Sequence, residues 1–283
     1  MITETASEGL NCFSLYSEWY NHFYQHKNYE SESTHVLGRA LNHRPNQMKH
    51  WLDLGCGTGR HAAHLATCSL QVVGVDASQP MISKAREAYP SIEFHVADIG
   101  DFRLQQEFDA ASMLYHVINY LEKPRAVHKA LLNVADHLKP GGLLLFDFWH
   151  TDGVRSSPPE NTYREVVIGN QLIARIGYAT EFPQHNLVVV DYEFRLDSIK
   201  GAIIHREQHR MLHFSETRLS HLLTKSGFAL LECEGWMTGA PLTENDWYGF
   251  IVAEKITPER LAFSVTIYSN QQSSDLKVIA YSQ

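Results

Sequence analysis

The run Trp51-Leu-Asp-Leu-Gly-Cys-Gly-Thr-Gly-Arg60 carries the densest chemical signal in this chain. Leu52 and Leu54 alternate with polar positions like the end of a buried strand, Gly55, Gly57 and Gly59 follow, and a helical pattern begins near Thr58. Strand, glycine turn and helix together offer a ligand free backbone N–H groups and the positive end of a helix. The dinucleotide pattern G-x-G-x-x-G would need glycine at Arg60, so a pyrophosphate is not the ligand this spacing fits. Asp53 points the same way, because its carboxylate would repel phosphates and attract an ammonium group. Asp76 ends the next apolar run, about 20 residues past Gly55, the distance at which an acid accepts ribose hydroxyls.

Further chemistry lies downstream. Tyr115 and His116 follow the fourth predicted strand, and a histidine there titrates near neutral pH and can serve as a base. Asp147 closes a strongly apolar run, where a carboxylate needs a reason to be, and Trp149 follows it. His205, Glu207, His209, Met211 and His213 share one face of a later strand by the two-residue period. That face could bind a metal if a second element joined it, could roof a polar pocket, or could be an exposed sheet face. His61 and His64 stand three residues apart on the first helix, a spacing two metal ligands can share. No carboxylate or cysteine nearby completes a site, so a solvated helix face is expected.

The elements that must position these groups alternate. Strands are expected near Trp51, Val73, Phe94, Ala111 and Leu144, and helices from about Thr58, Ser78 and Pro124. This order predicts a doubly wound, mostly parallel Rossmann-like α/β sheet of seven strands, completed by strands near Leu230 and Phe250. Residues 1–45 read as helical. Phe13, Tyr16, Trp19, Tyr20, Phe23 and Tyr24 form an aromatic stripe, and a second helix runs from Glu32 to Asn42. Residues 46–150 form the ligand-binding core. Residues 151–213 are an inserted antiparallel meander with extended segments at 172–176, 188–194 and 203–213, preceded by a loop from Thr151 to Pro159. Residues 214–256 complete the core through a helix capped by Ser215 and ended at Gly227. Residues 257–283 read as an appended hairpin, a candidate edge or dimer contact.

With 283 residues and 44% hydrophobic composition, the chain can bury a large core. A net charge of −8 and the lack of basic runs argue against nucleic acid as partner. No apolar stretch is long enough to span a membrane. Cys12, Cys56, Cys68 and Cys233 are scattered, which predicts neither zinc nor disulfides and suits a reducing cytoplasm.

The ordered series Asp53-Leu-Gly55-Cys-Gly57-Thr-Gly59, Val72 to Asp76, Ala97-Asp98-Ile99, Phe108-Asp109 and Leu138-Lys-Pro-Gly-Gly-Leu143 resembles the class I S-adenosylmethionine (SAM) dependent methyltransferases. The resemblance covers about residues 49–149. It implies that Asp53, Gly55, Cys56, Gly57 and Gly59 surround the methionine portion of SAM, and that Asp76 and Ala77 meet the ribose. Asp98 and Ile99 would bind the adenine edge, Met81 its face, and Met113 would lie near the sulfonium. The product would be S-adenosylhomocysteine. His116, Tyr115 and Asp147 are the candidates for catalysis. Tyr16, Tyr20, Trp149 and His209 are those for the acceptor, with the N-terminal aromatics as a lid that attracts cations through its rings.

The aromatic helix, the insertion and the pattern Glu207-Gln-His209-Arg-Met211 resemble a bacterial small-molecule subgroup that includes N-methyltransferases of nucleotide-linked amino sugars. The expected function is therefore SAM-dependent methylation of a small acceptor at an amine nitrogen. A metal-independent O-methyltransferase and a non-catalytic SAM-binding module are the alternatives. Arg60 and Asp53 disfavour a nicotinamide-dependent oxidoreductase.

Overall fold

The computed structural model describes residues 3–4, 16–45, 48–198 and 201–257. The elements in chain order are β1 (Thr3–Glu4), α1 (Tyr16–Phe23), α2 (Tyr29–His43), β2 (His50–Leu54), α3 (Arg60–Thr67), β3 (Gln71–Asp76), α4 (Gln79–Ala88), β4 (Glu93–Val96) and β5 (Phe108–Met113). A short 3₁₀ turn (Val117–Tyr120), α5 (Pro124–His137), β6 (Leu138–Trp149) and α6 (Thr151–Ser156) follow. Next come β7 (Thr162–Ile168), β8 (Gln171–Phe182), β9 (Leu187–Ser198) and β10 (Gly201–Leu212), then α7 (Glu216–Lys225), β11 (Phe228–Gly235) and β12 (Tyr248–Lys255).

Seven strands form the main sheet in the order β11-β12-β6-β5-β2-β3-β4. The bonds among β2 to β6 are parallel, and β12 runs antiparallel to both neighbours. Side chains of α2, α3 and α4 pack on one face through Val36, Ala40, Ala62, Leu65, Ile82 and Ala85. On the other face α5 and α7 contribute Val127, Leu131, Val134, Leu219 and Leu223. The chain proceeds from β2 outward to β4 and then returns to place β5 on the other side of β2. This reversal opens a crevice beyond the carboxyl ends of β2 and β5, where ligands bind in such sheets.

The insertion is a second sheet in which β7 to β10 run antiparallel, and β1 adds beside β10. Cross-strand neighbours place Gly177, Tyr192 and Glu207 in one row and Arg175, Phe194 and His205 in the next. Helix α1 covers this face, with Tyr16, Trp19 and Phe23 packed on Val166, Ile173 and Phe194.

Several expectations change. Thr151–Ser156 is a helix rather than loop, with Val154 N–H donating to His150 O at 2.9 Å before Pro158 ends it. Residues 162–168 form a strand that polar residues had concealed. Helix α2 belongs to the core layer, so only α1 faces the insertion. The turn centred on residues 199–200, Cys12, Phe13 and the expected C-terminal hairpin lie outside the described residues. No helix among the described residues is long and apolar enough to cross a membrane.

Gly153 seats α6 against the loop before β12, and a Cβ there would stand 2.1 Å from the Asp246 carbonyl oxygen. Gly153→Ala is expected to lose about 1–3 kcal/mol of stability, read by urea unfolding. An unchanged midpoint would show that this loop is easily displaced.

Candidate active site

The turn after β2 is built for close approach. Gly55 (φ 66°) and Gly57 (φ 53°) are both left-handed. A Cβ on Gly55 would strike the Val117 side chain at 2.4 Å, whereas one on Gly57 would project into open space. The Asp76 carboxylate accepts the N–H of Gly57 at 2.9 Å and of Ser78 at 2.8 Å, tying the turns after β2 and β3 together. Burial raises Asp76 above the usual carboxylate range, and those two N–H groups oppose the rise. Ser78 caps α4 through its side chain.

Asp53 lies beneath the glycine turn rather than on the cavity wall. It is buried, and its Oδ1 accepts from the Ser112 hydroxyl at 3.1 Å, itself fixed by the Trp51 indole. Its other oxygen is buried with no hydrogen-bond partner among the described residues. Burial pushes its carboxyl up to about 6. An orphaned carboxylate oxygen under a glycine turn fits the ammonium end of SAM, approached through the turn.

A cavity of about 1120 Å³ begins at this turn. It is lined by Gly55, Cys56, Gly57, Asp76, Ala77 and Met81, with Asp98 and Ile99 at one end. Asp98 also accepts the Gly100 N–H at 2.8 Å, so it closes a turn as well as facing the cavity. Two expected cofactor residues stand apart. Gly59 packs instead against Phe94, where a Cβ would meet the ring at 2.7 Å, and Met113 is fully buried in the sheet core. Met113 ends β5, and the pleat of the strand turns its side chain into the core instead of the crevice.

The far wall holds the other candidates. Tyr115 (φ 68°) and His116 (φ 64°) are consecutive left-handed residues, a conformation that costs of order 1–3 kcal/mol each. Asp147 explains their persistence, since its carboxylate accepts the Tyr115 N–H at 2.6 Å and the His116 N–H at 3.1 Å. The His116 ring also stands close, with Nδ1 2.5 Å from Asp147 Oδ2 but not aligned as a hydrogen bond, and stacks on Tyr248 at 5.0 Å. Burial would raise Asp147, but the His116 ring and N–H hold it below the usual carboxylate value. Asp147 is thus a positioning group, and its place in an apolar strand is accounted for.

Tyr20, Trp149 and His209 line the cavity. Tyr16 does not, being buried in the aromatic layer behind them. The face bearing His205, Glu207 and His209 is also buried, because α1 lies over it and the Tyr16 N–H donates to Glu207 at 3.2 Å. His61 is buried rather than solvated, its Nε2 2.7 Å from Glu32. Among the described residues no group of three His, Cys, Asp or Glu is arranged to hold a metal ion.

Sequence reasoning missed Arg175, Tyr120, Tyr192 and Tyr248, all on the cavity wall together with Tyr24 of the aromatic stripe. Arg175 interrupts the apolar run 172–176. It is buried among the rings of Tyr16, Phe23, Tyr24 and Tyr192, and it donates to the Tyr24 hydroxyl at 3.0 Å and to the Tyr16 hydroxyl. Burial alone would raise the Tyr24 phenol. The Arg175 guanidinium and bonds from Tyr115 and Tyr16 bring it below the ordinary tyrosine value. The parity of Ile173, Arg175 and Gly177 was the one signal for this placement.

A methyltransferase-domain family profile matches residues 52–142. The chain is 30% identical over 182 residues to a trans-aconitate 2-methyltransferase of Paracidovorax citrulli, covering 63% of this chain and 68% of the relative. The chain belongs to the class I SAM-dependent methyltransferases. It is also 26% identical over 234 residues to a Streptomyces venezuelae dTDP-3-amino-3,4,6-trideoxy-α-D-glucopyranose N,N-dimethyltransferase, covering 80% of this chain and 95% of the relative. Its fold resembles the sugar N-methyltransferase KedS8 from a Streptoalloteichus species, with TM-score 0.76 and 21% identity, over 89% of this chain and 97% of that one.

A methyltransferase whose Asp53 carboxylate meets an ammonium should bind SAM more tightly as pH rises. Asp53 sits near 6 without ligand, and pairing favours its charged form, so affinity grows as pH passes from about 5 to 7. Each pH unit of pKa displacement is worth about tenfold. Calorimetry should show this slope in the wild type and lose it in Asp53→Asn. A wild type whose affinity does not vary with pH would remove Asp53 from the ammonium site. Asp76→Ala should weaken SAM binding by about 1.5–3 kcal/mol, the worth of hydrogen bonds to a charged group.

Proposed function

We propose that this enzyme transfers the methyl group of SAM to the nitrogen of a small amine, with amino sugars linked to a nucleotide as the acceptor class. The observation that carries this reading is the single cavity running from the glycine turn to the second sheet. At about 1120 Å³ it exceeds what one drug-sized ligand fills, and it has a cofactor end and an acceptor end. The acceptor end is aromatic and imidazole-rich, with Tyr20, His116, Tyr120, Trp149 and His209 facing the presumed path of the nucleophile. Arg164 lies on the same wall and suits an acceptor bearing phosphate; in the adjoining cavity of about 610 Å³, Lys27 is already paired with Glu32. The similarity to the S. venezuelae enzyme supports the same class.

SAM, when bound, supplies an electrophilic methyl on a sulfonium whose departure as a neutral thioether needs no acid. What the chain must supply is alignment and a route for the acceptor's proton. In this reading Asp53, Asp76, Met81 and Asp98 fix one reactant. The left-handed Tyr115–His116 turn, held by Asp147, sets the wall beside the transferred methyl. His116 takes the proton, and the adjacent Asp147 carboxylate favours the imidazolium that forms. The same His116–Asp147 pair could deprotonate a hydroxyl, which keeps O-methylation as the second reading.

Helix α1 and residues 151–213 are proposed as the two covers of the acceptor end, around a core formed by α2, residues 46–150 and residues 214–256.

The test is release of S-adenosylhomocysteine with dTDP-3-amino-3,6-dideoxyglucose and its 3-hydroxy counterpart as acceptors. Turnover of the amine alone is expected. Turnover of the hydroxyl compound alone would transfer the assignment to oxygen, and none with either would overturn the sugar class. His116→Ala should lower kcat about 10²–10⁴-fold, the usual worth of a general base, with SAM affinity unchanged by calorimetry. Intact turnover would make His116 structural.

A further inference from the structure

A chain of three side chains crosses from the second sheet to the acceptor end of the cavity. The Tyr120 hydroxyl lies 2.9 Å from His209 Nδ1. His209 Nε2 lies 3.4 Å from Glu207 Oε2, and Glu207 Oε1 is 3.1 Å from His205 Nε2 and 3.2 Å from the Tyr16 N–H. His205, Glu207 and His209 are all buried, with Glu207 2% and His209 1% exposed. Tyr120 and His209 both line the cavity. The rings of Tyr16 and Tyr192 pack edge-on against His209 and hold its plane.

The roles in this chain follow from what each group can do. With Glu207 ionised it only accepts, so each imidazole nitrogen facing it carries a proton. His209 is then protonated at Nε2, and in the neutral ring its Nδ1 is a bare acceptor. The Tyr120 hydroxyl, at hydrogen-bond distance, must therefore donate into His209. Its proton then points to His209, so the hydroxyl meets a ligand in the cavity as an acceptor and not as a donor.

We propose that Glu207 and His209 are positioning residues that fix Tyr120 as an acceptor-only hydroxyl, which receives an N–H of the acceptor amine and so turns the nitrogen lone pair toward the methyl group. This rests on the proposed amine reading. A freely rotating hydroxyl would instead donate to the lone pair and cap the nucleophile, because the lone pair is the amine's best acceptor. The arrangement accepts primary and secondary amines, which keep an N–H while the lone pair is aimed at the methyl. A neutral tertiary amine has none, so transfer stops at the dimethylated nitrogen.

Glu207→Gln tests this without changing shape. The oxygen now at Oε1 serves two donors, His205 and the Tyr16 N–H, so the carbonyl of glutamine should stay there. Its NH₂ then takes the place of Oε2 and donates to His209 Nε2. The proton of His209 moves to Nδ1, and Tyr120 is left donating toward the cavity. The ¹⁵N spectrum of His209 in the S-adenosylhomocysteine complex should show Nε2–H in the wild type and Nδ1–H in Glu207→Gln.

With the amino sugar above, Glu207→Gln should lose about tenfold or more in kcat while KM stays equal or falls, since a capped lone pair binds well and reacts poorly. Tyr120→Phe, which removes the hydroxyl altogether, should lower kcat while calorimetry shows SAM affinity intact. That variant also decides the matter should Glu207→Gln fail to fold. An Nδ1–H tautomer in the wild type would overturn the proposal, as would an unchanged tautomer in Glu207→Gln or wild-type kcat in Tyr120→Phe. If the wild type turns over no amine, the amine reading falls while the tautomer spectra still judge the lock by themselves.

Discussion

The carboxyl edge of a parallel sheet is a place where backbone N–H groups emerge without partners, and this enzyme's site depends on how buried aspartates meet them. Asp147, at the end of β6, accepts from both residues of the strained turn that follows β5. Without it, two adjacent left-handed side-chain-bearing residues would have little reason to hold their shape. Asp76 does the same work between the turns after β2 and β3. Asp53 completes the set from below, sharing a hydroxyl with β5 through Ser112. Asp76 and Asp147 each lie where one strand ends and serve a neighbouring turn, so the crevice is shaped by the same bonds that stabilise it.

The second sheet follows a different logic. Its inner face is polar at several positions, yet it is buried by an aromatic helix. Burying Arg175 and Glu207 would be costly unless each were satisfied. Arg175 is surrounded by aromatic rings and bonded to two phenols, and Glu207 takes donors from two imidazoles and a backbone N–H. Such partners offset part of the cost of burial, although the Arg175 Nε has no hydrogen-bond partner among the described residues. The cavity wall gains preset hydrogen-bond directions in place of side chains that would have to be ordered when the acceptor binds.

Much of this was readable from sequence where the signal was local. The glycine spacing, the acid at the end of β3 and the alternation of strands and helices depend on backbone geometry over a few residues, and they located the cofactor end. Reading failed where the partner was distant. His61 was expected in solvent but is buried against Glu32. The His205–Glu207–His209 face was open between roof, metal and solvent because the covering helix lies some 190 residues earlier in the chain. Met113 matched a position beside the crevice, but strand pleating turned it into the core.

The sequence by itself determined the fold, the cofactor turn and the chemistry class, because φ > 0 at glycines and the two-residue period of strands are properties of neighbouring residues. Only the tertiary structure decided which polar side chains work at the acceptor end. The direction of a hydroxyl proton or the burial of a guanidinium is set by groups brought together from α1, the 3₁₀ turn after β5, β8 and β10, and no short stretch of chain contains them all.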